Sequence, residues 1–431
     1  MGFKVEEIRT KGGAKGLIIH VPGANTMAFE FEFRAGDRYA ISEQKVETAH
    51  IMEHLAFGAN AKYKTMRKNN AVLQKNGAST NAYTSHTSLA YYANCADFEW
   101  KRVLSHLLLQ LESPQFLENE FKAEFGNVKE ELALRWNYDT VRLFQLHNKN
   151  VGLTKTTFKD NLSLMDNVVH TDIIEHYKRT HTQKNMRFIV AGKISVPRKK
   201  AILSLVDQFE LSSGTKRLDI IKGGKPTKKP LLFIKKDDAS ALSIEAEMFL
   251  QNPITKQEHL AMKILNNIIT GTLHSRIFGK AREKGWVYDM SSGCGNWREY
   301  PGFEFFIQVS DKNAVNVMRL VTSELKKIAS GGLKDSELKG AKQFALGSFQ
   351  KALQTPNNYI SYFSDDFYEE DEIRNYKNYK DEINSITKDD ILNILNKFIN
   401  NNSQAISILG LPAHHSTAKK VEKEYLKLWQ N

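Results

Sequence analysis

The sequence predicts an α+β protein of two structurally related domains, each an α/β sandwich in which a mostly antiparallel sheet is flanked by helices. Three observations carry this expectation. At 431 residues the chain exceeds one typical domain, and two domains of about 200 residues each are expected. The segment 211–230, LSSGTKRLDIIKGGKPTKKP, is rich in Gly, Ser, Pro and Lys and has little hydrophobic period, so it reads as a linker. A loop–helix unit recurs across that break, SPQFLENEFKAEFGNVKEELAL at 113–134 against SGGLKDSELKGAKQFALGSFQKAL at 330–353. The expected organisation is an N-terminal domain at 1–210, a linker at 211–229 and a related C-terminal domain at 230–431.

Within the first domain, apolar alternation or short apolar runs mark strands near 16–22, 27–34, 88–95 and 186–192. Helical periodicity marks 43–57, 98–112, 117–135 and 170–180. In the second, strands are expected near 230–236, 241–249, 286–293, 303–310 and 404–410. Helices are expected near 256–269, 273–283, 313–330, 334–353 and 387–399.

Lys plus Arg exceed Asp plus Glu by 12, but the charges are spread along the chain. Diffuse positive charge favours solubility and attraction to acidic peptides; no nucleic acid is expected as a partner. Cys95 and Cys294 are the two cysteines, too few for a disulfide framework and suited to a reducing compartment. No run approaches the ~18 apolar residues of a membrane span, so no membrane partner is expected. The opening MGFKVEEIRTKGGAKG lacks an apolar signal core and carries Glu6 and Glu7, unlike a transit peptide. A cytoplasmic protein is expected.

The most informative stretch is His50-Ile51-Met52-Glu53-His54. On a helix His54 lies about 40° from His50, and Glu53 about 60° to its other side. Two imidazoles can then reach one metal with a carboxylate beside it. This is the H-x-x-E-H arrangement in which the His pair binds zinc and the Glu serves as general base. The alternative is a solvated helix face, but Ala49, Ile51, Met52, Leu55, Ala56 and Phe57 surround the trio before a terminating Gly58. Ionisable groups on so apolar a segment need partners or a metal.

A third ligand is sought in the helix at 117–134, LENEFKAEFGNVKEELAL. Glu124 and Glu131 are two turns apart, within about 20° of each other and on the face of Val128, whereas Glu130 points away. One carboxylate would ligate and the other would orient an imidazole; spacing alone leaves the choice open.

At this point the chain resembles the insulinase/pitrilysin family of zinc metallopeptidases, whose H-x-x-E-H is followed some 75 residues on by a Glu in a V-x-x-E context, here Val128-Lys129-Glu130-Glu131. The resemblance implies one Zn2+ per chain on His50, His54 and Glu131, Glu53 as catalytic base, and Glu124 as the outer carboxylate. The string Asp139-x-x-Arg142-Leu143-Phe144-Gln145-Leu146 is similar to the family's. Asn81-Ala82-Tyr83-Thr84 resembles the family's substrate strand, which would pair with peptide through its backbone, while Phe57 would line the pocket beyond the scissile bond.

In the second half, SRIFGKAREKGWVYDMSSG at 275–293 resembles the family motif whose Arg and Tyr reach the substrate carbonyl; the matching residues are Arg282 and Tyr288, six apart where the family usually has seven. Aligning Glu120 with Glu337 sets Ser348 opposite Glu131 and Ala341 opposite Glu124, so the second domain is expected to hold no metal. The length resembles the family's short two-domain form, as in mitochondrial processing peptidase subunits, which is half a clamshell. This implies a dimer enclosing the site: a homodimer, since both motifs lie on one chain, with a heterodimer as the other arrangement. The expected function is a zinc-dependent endopeptidase acting on short unfolded peptides inside that chamber. The alternative is a non-catalytic peptide-binding or structural subunit of a processing-peptidase-like heterodimer; such relatives usually lose metal-motif residues, and this chain keeps them.

Overall fold

The structure is a computed structural model describing residues 2–430. Its first-half elements are β1 (Lys4–Arg9), β2 (Lys15–His20), β3 (Thr26–Phe33), α1 (Thr48–Leu55), α2 (Met66–Leu73), β4 (Ser79–Thr84), β5 (Leu89–Ala96), α3 (Trp100–Glu112) and α4 (Glu118–Asn137). There follow α5 (Asp139–Val151), α6 (Phe158–Leu164), α7 (His170–Thr180), β6 (Met186–Gly192) and α8 (Val196–Asp207). After an extended stretch come β7 (Leu232–Lys235), β8 (Leu242–Phe249), α9 (Lys256–Ile269), α10 (Phe278–Glu283), β9 (Val287–Gly295), β10 (Gly302–Val309) and α11 (Asp311–Ala329). The chain finishes with α12 (Asp335–Ala352), α13 (Pro356–Glu370), α14 (Tyr379–Ser385), α15 (Lys388–Asn401), β11 (Gln404–Gly410) and α16 (His415–Leu426).

These elements pack as two compact units. Unit 1 comprises residues up to Ala133, Asp160–Ile221 and Gln350–Arg374; unit 2 comprises Leu134–Lys159, Lys222–Phe349 and residues from Asn375 onward. The units therefore exchange a helix: α5 belongs to the second and α13 to the first, whereas the sequence reading divided the chain into contiguous stretches at 210 and 230. Composition marks a covalent break but carries no information on which sheet a helix covers. The crossing at Ile221 and Lys222 falls in the expected linker, which has no helix or strand.

Unit 1 holds a six-stranded sheet in the order β1-β2-β6-β3-β5-β4, with only β2 and β6 parallel. Phe29, Phe31 and Phe33 alternate along β3 and are fully buried, and Phe31 stacks on Phe188 of β6 at 5.6 Å. Glu30 and Glu32, between them, point to the opposite face, against which α13 packs. Just past α13, Asp371 accepts from Lys15 (2.8 Å), Arg187 (2.8 Å) and Arg217 (2.8 Å), and Arg217 also reaches Glu32 at 3.1 Å. The guanidinium and ammonium groups outweigh burial and hold the Asp371 carboxyl well below the usual range.

Unit 2 repeats the plan with five strands, β7-β11-β8-β10-β9, again with one parallel pair, β7 and β11. Its apolar core joins β8 and β10 to α9, α11, α15 and α16. The exchanged helix α5 is pinned to the other face by His147, whose Nδ1 meets Ser407 Oγ at 2.9 Å and whose Nε2 meets Glu247 at 3.0 Å.

The expected class is what the structure shows: two related α+β units whose mostly antiparallel sheets are flanked by helices. Some elements differ. The helix expected over 43–57 splits into a 3-10 turn at Glu43–Lys45 and the eight residues of α1, and the one expected over 273–283 starts at Phe278. The reading did not anticipate β1, α2, α5, α6, α8, α13, α14 or α16. Cys95 and Cys294 are free thiols. No helix among the described residues is long and apolar enough to cross a membrane.

Candidate metal centre

α1 is held by its apolar side. Ala49, Ile51, Met52 and Leu55 are fully buried, which leaves His50, Glu53 and His54 half-buried on the remaining arc. The helix ends where Ala56 N–H donates to Met52 O and Gly58 N–H to Leu55 O. A Cβ on Gly58 would sit 2.9 Å from the Leu55 carbonyl oxygen and 2.4 Å from Glu120 Oε2, so a side chain there would press on backbone and displace the Glu120 carboxylate. Glu120 fastens the next loop by accepting from the Ala59 (2.8 Å) and Met66 (3.2 Å) amides.

The structure brings His50, His54 and Glu131 together, one ligand atom from each lying within 4.8 Å of the others. Glu131 Oε2 is 3.7 Å from His50 Nε2 and 3.6 Å from His54 Nε2. Two atoms each about 2.1 Å from a tetrahedral zinc are separated by about 3.4 Å, so these spacings fit a zinc donor set with little adjustment. Both other ring nitrogens are occupied: His50 Nδ1 meets Glu47 Oε2 at 2.9 Å, and His54 Nδ1 meets Glu124 Oε2 at 2.9 Å. Asn161 and Asn127 in turn donate to Glu47 (2.6 Å) and Glu124 (3.2 Å).

Electrostatics agrees with a cation at this point. Burial opposes charging His50, but Glu131 and Glu47 outweigh it and push the imidazole up to about 10. The bond from His54 holds Glu124 below its ordinary range against burial. The carboxylates beside His50 thus favour a positive charge at this point. Glu130 is exposed and points away.

Glu53 is tied to the sheet: Thr84 Oγ1 donates to Glu53 Oε2 at 2.5 Å. Thr84 closes β4, the edge strand, which pairs on one side with β5 and has no strand partner on the other among the described residues. Ala82 is buried, while Asn81 and Tyr83 are exposed on the opposite face. Phe57 is half-buried, its ring 6.4 Å from that of Tyr91.

Arg282 and Tyr288 lie together in unit 2, the guanidinium 4.5 Å over the phenol ring and donating to Tyr288 O at 3.0 Å. The turn between them passes through Gly285 at φ +64°, a left-handed position that glycine adopts without penalty. Tyr288 is 81% exposed.

The sequence reading missed Glu47 and the anchoring role of Thr84. Glu47 lies three residues before His50, a spacing that places it on the same helical face, and that was the available signal.

Paired α+β units, one carrying an H-x-x-E-H helix with a distant Glu at its histidines, define a class of metallopeptidase-like proteins. The family comparisons agree: residues 17–159 match the insulinase family (peptidase family M16), and residues 167–344 match a domain described as the peptidase M16 inactive domain. The chain belongs to the insulinase family, in its short two-domain form. It is 22% identical to an uncharacterized zinc protease of Mycobacterium leprae over 366 residues, covering 81% of this chain and 79% of that protein. Over 214 residues it is 23% identical to the mitochondrial-processing peptidase subunit beta of Neurospora crassa, covering 48% of this chain and 43% of that protein. The crystal structure of a protease from Helicobacter pylori superposes with a TM-score of 0.83 at 17% identity, covering 94% of this chain and 99% of that one.

Proposed function

We propose that this protein is a zinc-dependent endopeptidase acting on short unfolded peptides. The observation that carries the reading is the convergence of both Nε2 atoms on Glu131 while both Nδ1 atoms are held by carboxylates. Glu47 and Glu124 accept the Nδ1 protons, leaving each Nε2 lone pair free to ligate. His50, His54 and Glu131 would hold the zinc, which would supply Lewis-acid chemistry toward water and the peptide carbonyl. Glu53, steadied at Oε2 by Thr84, takes the proton of the attacking water at Oε1 and delivers it to the leaving amine. The free edge of β4, from Asn81 to Thr84, pairs with the substrate backbone, so register is fixed with little demand on side chains. Phe57 lines the pocket next to the scissile bond, and Arg282 with Tyr288 donates to the carbonyl oxygen.

The working form is a homodimer, a reading supported by the presence of both motifs on one chain; the two free thiols support a reducing, cytoplasmic setting. Metal analysis of the purified protein, its size in solution and cleavage of a quenched unfolded peptide test the proposal. Stoichiometric zinc and chelator-sensitive turnover are expected. Zinc without turnover would favour a non-catalytic subunit, and absence of both would overturn the reading.

A further inference from the structure

Unit 2 contains a groove of about 760 Å³ walled by α10, the end of α11 and the start of α12. Its lining is unevenly charged: Arg276, Lys280, Arg282, Lys327 and Lys334 face only Glu283, Glu324 and Glu337. The cations are also unevenly neutralised. Arg276, 8% exposed, forks onto Glu337 at 2.7 and 2.6 Å. Lys280 and Lys327 share one oxygen of Glu324, at 2.9 and 3.1 Å. Glu324 is itself only 3% exposed, so it cannot swing out to follow them. Each ammonium has three donors, and one shared oxygen leaves most of them unspent. Lys334 is exposed and makes no close ion pair among the described residues, its charge acting on Glu337 only at longer range. Leu273, 64% exposed, adds an apolar surface to the lining.

The cations come from α10, α11 and the loops before α10 and α12, and the groove is far larger than a single oxyanion. That arrangement suits several carboxylates strung along a chain. The net charge of +12 adds long-range attraction for such a ligand. We propose that this groove binds an acidic segment of a polypeptide, with Lys280, Lys327 and Lys334 sharing its carboxylates and Leu273 contacting an apolar neighbour. Arg282 lines this groove and also belongs to the proposed cleavage machinery, whereas Lys280, Lys327 and Lys334 do not; the use of the groove as a substrate-docking site rests on the peptidase reading.

The test uses full-length protein carrying Glu53→Gln, so that bound peptide stays intact, and fluorescence anisotropy with two labelled unfolded peptides of equal length. One carries an Asp/Glu tract, the other Asn/Gln at the same positions. The acidic peptide is expected to bind about tenfold tighter at low salt, with the advantage shrinking as salt rises. Lys334→Glu, at an exposed position without a close ion pair, and Lys327→Gln should each remove about three- to tenfold of that advantage and leave the neutral peptide unchanged. Unaltered thermal midpoints confirm that both variants fold. Equal affinities for the two peptides, or indifference to both substitutions, overturn the proposal, as does inorganic phosphate binding more tightly than the acidic peptide. Wild-type turnover of the neutral peptide is followed in parallel; its absence alongside an intact affinity difference would sink the peptidase reading and leave this one standing.

Discussion

In unit 1 the Thr84 hydroxyl of edge strand β4 donates to Glu53 on α1; in unit 2 the Ser292 hydroxyl of edge strand β9 donates to Asn266 on α9. The two helices follow corresponding strands, β3 and β8, and the two edge strands end sheets of matching order. One tie between helix and edge thus occurs twice, once on a carboxylate and once on an amide. Counting from it, Lys263 stands where His50 does and Asn267 where His54 does. An amide takes up no proton near neutral pH, and an ammonium does not ligate. The difference teaches that the helix–edge contact is architectural, and that the candidate metal ligands stand on one copy of it only.

That comparison can be broken most severely at the ligands. Glu131→Ala is expected to lose zinc and reduce peptide cleavage by roughly 10³-fold or more, whereas Asn266→Ala should leave metal content and turnover near wild type; matched metal and rate assays check both. The carboxylates behind the imidazoles come next. Glu47→Gln and Glu124→Gln should each weaken zinc about 10- to 100-fold, read by chelator competition, with fold retained.

Smaller effects sharpen the contrast between the sheet faces. His147→Ala in unit 2 strands Glu247, 6% exposed, without its imidazole. A loss of about 3 kcal/mol is expected in chemical denaturation, because one member of a buried polar pair is left alone. Smaller still is Glu304→Gln on β10. Burial, assisted by Glu247, raises the Glu304 carboxyl to about 7, so the folded state favours its protonated form. Relative to the glutamine variant, the wild type should lose stability as pH rises from about 4.5 through about 7. Thermal midpoints of the two should agree near pH 4 and separate, with the variant higher, by pH 8.

Much of this centre was readable before any coordinates. Helical phase grouped Glu124 with Glu131 and dismissed Glu130, and the V-x-x-E context then separated ligand from support. The structure puts Glu131 near both Nε2 atoms and Glu124 on His54 Nδ1. Glu47 escaped because the segment from residue 43 read as one continuous helix, in which one more acidic residue looked like ordinary solvated charge. The exchange of α5 and α13 escaped for another reason. Each covers a sheet face whose strands lie far away in sequence, α13 with Tyr359, Ile360, Phe363 and Phe367 and α5 with Leu143, His147 and Val151, so no local period reveals the pairing. The six-residue spacing of Arg282 and Tyr288 is accommodated by the turn at Gly285, which sets the two side chains against each other; no spacing rule contains that turn.

The central claim is that Glu53 does chemistry on a metal site it does not itself build. Full-length Glu53→Gln, loaded with zinc and assayed on a quenched unfolded peptide beside the wild type, tests it most directly. Zinc content equal to wild type with turnover reduced by at least about 10²-fold is the predicted result. Undiminished turnover in the metal-loaded variant would contradict the account.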